Sequence, residues 1–136
     1  MTLQIHDIRT ADDISAAFDA AAKERPEGLL VTAESIFLVQ RALVTELAAR
    51  HRLPAIYPYS LFAVDSGGLM AYGVIESDLQ TRAATYVDKI LKGAKPSDVP
   101  VQQPAKLKLV INLKTARALG VTIPPSVRLR ADQVIE

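Results

Sequence analysis

Apolar positions along this chain switch repeatedly between a spacing of two and a spacing of three to four, which marks strands alternating with helices. Leu3, Ile5 and Ile8, with Gln4, His6 and Asp7 between them, predict a first strand. Thr10 with Asp13 three residues on has the form of a capping box, so a helix is expected to begin there. Ile14, Ala17, Phe18, Ala21 and Ala22 give that helix one apolar stripe, while Asp19, Lys23 and Glu24 face water, and Pro26 and Gly28 end it. Leu29, Leu30 and Val31 form a short continuous apolar run, the pattern of a strand covered on both faces. Residues 32–35 turn into a second helix in which Ile36, Val39, Leu43, Leu47 and Ala48 are the expected buried positions. Arg50, His51 and Arg52 stand at its end, where cations oppose the partial negative charge of unpaired carbonyls. Pro54 then leads into a third strand over residues 55–57.

Residues 65–68 read as a turn, because the adjacent glycines Gly67 and Gly68 permit backbone angles that other residues resist. Leu79, Ala83, Tyr86, Val87, Ile90 and Leu91 trace the most regular helical stripe of the chain, over 77–92, closed by Lys92 and Gly93. Pro96, Pro100 and Pro104 make the following linker extended. Leu107, Leu109 and Ile111 alternate with Lys106 and Lys108 as a half-buried strand, and Asn112 opens a short helix that closes on Gly120. Strands alternating with helices, at connections too long for hairpins, imply an α/β fold with a mainly parallel sheet and helices on its faces, a three-layer arrangement.

A chain of 136 residues, 49% of them apolar, is enough for one ordinary core. Net charge is +1 with acids and bases interspersed, so the chain carries no electrostatic footprint for nucleic acid or an anionic membrane. With no cysteine it forms no disulfide and offers no thiolate. No apolar run approaches a membrane span, and residues 1–10 lack the build of a signal peptide. His6 and His51 stand apart from any evident nucleophile, and the carboxylates lack partners at metal-ligand spacing, so no catalytic residue, metal or cofactor is expected.

In open parallel sheets ligands bind outside the carboxyl ends of strands, where helix N-termini offer free N–H groups. Thr32, Glu34 and Ser35 occupy the first such position: Glu34 is able to accept from an amine or hydroxyl, and Ser35 to donate to a carboxylate. The plainer role for both is helix capping, and the two roles are compatible. Tyr57 and Tyr59 follow the third strand, where an aromatic wall with a hydroxyl handle competes with simple core packing. Residues 67–73, GGLMAYG, match neither a dinucleotide fingerprint nor a phosphate-binding loop.

The stretch over 86–125 carries ILKG, KP, a D two residues on, PV, then K-x-x-LVINL, TA, LG and IPP in fixed order. That order resembles the C-terminal end of periplasmic solute-binding components of ABC transporters, in the family related to tryptophan- and tyrosine-binding receptors. GGLMAYG likewise resembles the family's stretch near an interlobe crossing, which makes Tyr72 a hinge-side ligand candidate. The resemblance implies that residues 1–136 are the C-terminal lobe of a type I periplasmic binding protein fold, with the amino-terminal lobe and leader missing. Whether Met1 is a natural start stays open. It also implies a small-molecule solute, an amino acid or aromatic compound, held between two lobes by Thr32, Glu34, Ser35, Tyr59 and Tyr72, with a membrane permease as partner and the periplasm as location. The helix over 77–92, within a segment 77–105 that would pack on the other lobe, is then left with an uncovered stripe, so the isolated chain is expected to dimerise or swap this helix. The competing class is a stand-alone α/β oligomerising or regulatory domain without a transport role.

Overall fold

The computed structural model describes residues 2–104 and 106–136; Met1, and Ala105 at the end of the 77–105 segment, lie outside the described residues. The first helix, α1 (Ala11–Glu24), begins where the capping box predicts: the backbone N–H of Thr10 donates to the Asp13 carboxylate at 2.8 Å and that of Arg9 at 3.1 Å. These N–H groups, Thr10 first, hold the Asp13 carboxyl below the usual carboxylate range. Ile14 and Phe18 of its stripe are buried, each contributing roughly 1.5–3 kcal/mol of transfer free energy.

Five strands follow in a single sheet: β1 (Leu29–Leu30), β2 (Ala55–Tyr57), β3 (Met70–Val74), β4 (Leu107–Asn112) and β5 (Gln133–Ile135). They lie in chain order and pair in parallel everywhere except between β3 and β4. The expected mainly parallel α/β architecture is therefore the observed one. The register lines Leu29, Ala55, Tyr57, Ala71 and Val110 along one face, which α1, α3 (Arg41–Arg50) and α4 (Ser60–Val64) cover to form the core. On the opposite face Ile111 is also fully buried, so the sheet is covered on both sides at β4.

Three expectations need correction. Residues 3–8 form no strand; Leu3 is 72% and Ile5 78% exposed, because alternation yields a strand only where another strand pairs with it, and here none does. Leu30 is 69% exposed rather than covered on both faces, since β1 is an outer strand of the sheet. The helix expected to run unbroken to Arg50 is divided at Gln40 (φ −94°, ψ 22°) into α2 (Ser35–Val39) and α3. The division resets the helical phase, so Val44, Leu47 and Ala48 point inward while Val39 is exposed.

α5 (Glu76–Leu91) matches the predicted helix and buries none of its residues. Its N-terminus is tied to the sheet by Asp78, which meets Arg82 at 2.8 Å and Lys106 at 3.3 Å, while Ile75 donates to the Lys106 carbonyl. Beyond β4, the Asn112 side chain accepts from Thr115 N–H, and α6 (Leu113–Leu119) closes on Gly120 with φ 72°, as the spacing of these two residues predicts. α7 (Pro125–Arg128) then leads to β5.

Candidate functional site

Because β1, β2 and β3 run in parallel, their carboxyl ends share one end of the sheet, and the antiparallel β4 brings Leu107 there opposite Val74. Three connections leave from this end: residues 32–34 into α2, Pro58 and Tyr59 into α4, and Ile75 into α5. The N–H groups of the first two residues of each of these helices have no intrahelical acceptor, while the third donates to the carbonyl just before the helix (Phe37 to Glu34, Phe62 to Tyr59, Asp78 to Ile75), so the ledge presents a few backbone donors along with its side chains.

Backbone packing draws the connections together. A Cβ on Gly73 would lie 1.8 Å from the Pro58 carbonyl oxygen, so only a glycine lets β3 approach the end of β2 this closely. Tyr59, next along, is half-buried against the core and its hydroxyl donates to the Ala33 carbonyl at 3.4 Å. That bond joins the second connection to the first.

Thr32, Glu34 and Ser35 are exposed on this ledge. Glu34 starts α2 through its carbonyl, which accepts from Phe37 N–H at 3.1 Å and Leu38 N–H at 3.4 Å, while its side chain makes no capping bond. The carboxylate is thus left to solvent, and its capping work is done by backbone alone. Four of the five residues singled out from sequence, Thr32, Glu34, Ser35 and Tyr59, lie on these two adjoining connections.

Tyr72 sits apart from them. It lies on β3 beside Leu109, on the sheet face opposite the core, 50% exposed, and no hydrogen bond joins it to the other four. Tyr57 belongs to the core: it is 2% exposed and stacks on Phe62 with ring centroids 4.7 Å apart. Burial pushes its phenol up from the ordinary value, so it remains neutral and takes no part in ledge chemistry. Ser60, the half-buried first residue of α4, and Gly73 were not singled out from sequence, although a serine directly before the apolar run Leu61 to Val64 was a readable helix start.

The ledge is open. Two recesses lie elsewhere: a small one of about 10 Å³ beside Thr45, Tyr57 and Thr115, and a shallow one of about 180 Å³ between α5 and residues 102–104. His51 is held by its ring stacking on Phe18 and by Asp19 at 3.6 Å, at the end of α3 and away from the ledge. Among the described residues no three His, Cys, Asp or Glu side chains group as a metal site, and no helix is long and apolar enough to cross a membrane.

Residues 1–135 match the sequence profile described as ABC transporter substrate binding protein. No curated protein matches the chain. Among solved structures it is similar to a conserved domain protein from Vibrio cholerae, at 25% identity and TM-score 0.83, covering 90% of this chain and 41% of that one. It is similar at 29% identity and TM-score 0.81 to an ABC domain from Streptococcus pneumonia in complex with L-Trp, covering 91% of this chain and 42% of that one. A substrate binding protein with adhesive properties from Clostridium difficile, in its ligand-free, open form, shares the fold at 21% identity and TM-score 0.62, over 95% of this chain and 42% of that one. The chain thus spans about two-fifths of the length of the structures it matches. It belongs to the ABC transporter substrate-binding protein family.

Proposed function

We propose that this chain forms the C-terminal lobe of a protein that captures a small molecule between two lobes and delivers it to a membrane permease. The observation that carries the reading is a pair of uncovered surfaces at one end of one sheet. The ledge of Thr32, Glu34, Ser35 and Tyr59 is open, and α5, which leaves β3 at the same end, buries none of its residues. A second lobe set over this end would close the ledge into a cleft and cover the stripe that exposes Leu79, Val87 and Ile90.

In this reading Glu34 accepts from a solute amine or hydroxyl, Ser35 and the helix-start N–H groups donate to a solute carboxylate, and Tyr59 walls an apolar part. Tyr72 approaches from the crossing strand when the lobes close. An amino acid or an aromatic compound fits such a set, and the L-Trp held by the Streptococcus structure is of that chemistry. The mechanism is closure: contacts from both lobes favour the closed state, and only affinity that differs between closed and open drives that equilibrium. The protein works outside the cytoplasmic membrane, in the periplasm, as a binding component and not an enzyme.

The test is a thermal-shift screen of amino acids and aromatic acids on the two-lobed parent protein, followed by calorimetry. The best solute should bind about tenfold or more weakly to the Glu34→Ala and Tyr72→Ala variants, and unchanged binding by both would refute the site. The present chain alone should bind weakly or not at all; submicromolar binding by it would refute closure between lobes. The chain alone should also self-associate through α5 by dimerisation or helix exchange, and a monomer in light scattering at high concentration counts against that expectation.

A further inference from the structure

The chain leaves the sheet after Val74 and comes back to it at Leu107, so α5 and the linker behind it hang from one pair of antiparallel strands. This segment is tied within itself. Arg82 Nη1 donates to Gln102 Oε1 at 3.4 Å, and the Tyr86 hydroxyl donates to the Pro100 carbonyl at 2.7 Å, which holds the linker against the helix. Toward the sheet, the hydrogen bonds and ion pairs among the described residues converge on Lys106. Ile75 N–H donates to its carbonyl at 3.3 Å, and its ammonium stands 3.3 Å from the Asp78 carboxylate. Asp78 joins the two sets: its other oxygen accepts from Arg82 Nε at 2.8 Å, and its side chain is only 19% exposed.

The strand order gives this junction a side. β3 stands between β2 and β4. The ledge of Thr32, Glu34, Ser35 and Tyr59 lies at the ends of β1 and β2, whereas Lys106 leads into β4. The Asp78–Lys106 pair therefore sits on the flank of β3 away from the ledge. A body that pivots where β3 and β4 end, and tilts toward the ledge, lengthens a bond on the far flank; tilting back shortens it.

We propose that the Asp78–Lys106 pair is a clasp that holds α5 and its linker tilted away from the ledge and so opposes closure over a solute. This deepens the function proposed above and rests on its premise that the second lobe moves with α5. Asp78 and Lys106 touch no solute in this scheme. They are positioning residues that act through the balance of open and closed forms, and releasing them should raise affinity by what the open form loses. The lysine is exposed, so the pair has the strength of a surface ion pair, which sets the scale at about two- to fivefold.

The test uses the two-lobed parent protein and L-tryptophan as probe. In calorimetry, Lys106→Gln and Asp78→Asn should bind it about two- to fivefold more tightly than the parent. Lys106→Arg keeps the charge, and Lys92→Gln breaks only the pair with Asp88 at the other end of α5, so both should bind as the parent does. The tilt is read directly by spin labels on Lys89→Cys in α5 and Lys114→Cys in α6, since this chain has no cysteine of its own. Without solute, Lys106→Gln should widen the distance distribution toward the solute-bound distance, and Lys106→Arg should not. If the parent does not bind L-tryptophan, the choice of solute fails and the solute-free distances decide the clasp. If it binds with no change in distance, closure is refuted and the clasp with it. If the parent closes but both released variants bind no more tightly than it does, or Lys106→Gln leaves the distances unchanged, the clasp alone is overturned.

Discussion

Gly73→Ala offers a sharp test of how the ledge is built. The added Cβ would lie 1.8 Å from the Pro58 carbonyl oxygen and 2.9 Å from its carbon, against an ordinary contact of 3.4–4 Å. The strand end and the connection after β2 must therefore separate by about 1.6 Å. Both sides of the clash are backbone, so no rotamer change relieves it. Overpacking of this kind costs roughly 1–3 kcal/mol, and the absence of any flexible partner puts this case at the upper end. The φ of Gly73 is not positive, so alanine also gains roughly 0.4–1 kcal/mol by restricting the unfolded chain. The net is a loss of about 2 kcal/mol, or roughly 4–8 °C in Tm for a chain of this size. Thermal unfolding followed by far-ultraviolet circular dichroism measures it, with Gly120→Ala as comparison. At Gly120 nothing lies within 4 Å, and the cost, about 1 kcal/mol, comes from its φ of 72° alone. If Gly73→Ala melts at or above the parent temperature, or no lower than Gly120→Ala, the close approach of β3 to Pro58 is not what holds this end of the sheet.

Two further outcomes follow from the core and from the anchor of α5. Tyr57→Ala removes a fully buried ring stacked on Phe62 and should destabilise by roughly 3–5 kcal/mol in urea titration; a loss below 1 kcal/mol would mean that this part of the core collapses around the gap. At Asp78, partial burial pushes the carboxyl up, but the bonds from Lys106 and Arg82 outweigh it and hold its pKa below 3.8. A depressed folded pKa contributes stability that is present above the unfolded value and lost as pH falls through the folded one. The stability gap between the parent and Asp78→Asn should therefore be full at neutral pH and close below about pH 3.8; a gap that persists into stronger acid would show that the Asp78 charge is not its source.

What could be read from sequence divides by range. The capping box at Thr10 and Asp13, the Asn112 start and Gly120 stop of α6, and the stripe of α5 were legible because each depends on neighbours within a few residues. Residues 3–8 carry as clear an alternation as β4, yet only β4 is a strand. Leu107, Leu109 and Ile111 find Val74, Tyr72 and Met70 across the register, and Leu3 and Ile5 find nothing. Pairing, which is non-local, decides between them. The break at Gln40 left no mark because glutamine neither stops a helix nor frees the backbone. α4 and β5 escaped notice because five and three residues are too few to establish a period.

The candidate site obeys the same division. That Thr32, Glu34, Ser35 and Tyr59 stand where strand ends feed helix starts was legible, since such places can be found from turn residues and apolar runs. The internal geometry of the site was not: the Tyr59 bond to Ala33 spans 26 residues. Tyr72 takes the face opposite the core because Ala71, beside it, is the small residue that fits between Tyr57 and Val110. Exchanging that pair would bury a phenol and expose an alanine, so core packing at Ala71 sets which way the aromatic at 72 faces. The orientation of the proposed hinge-side contact is thus a consequence of the core beneath it, and a substitution that enlarges residue 71 should move Tyr72 before it touches any solute.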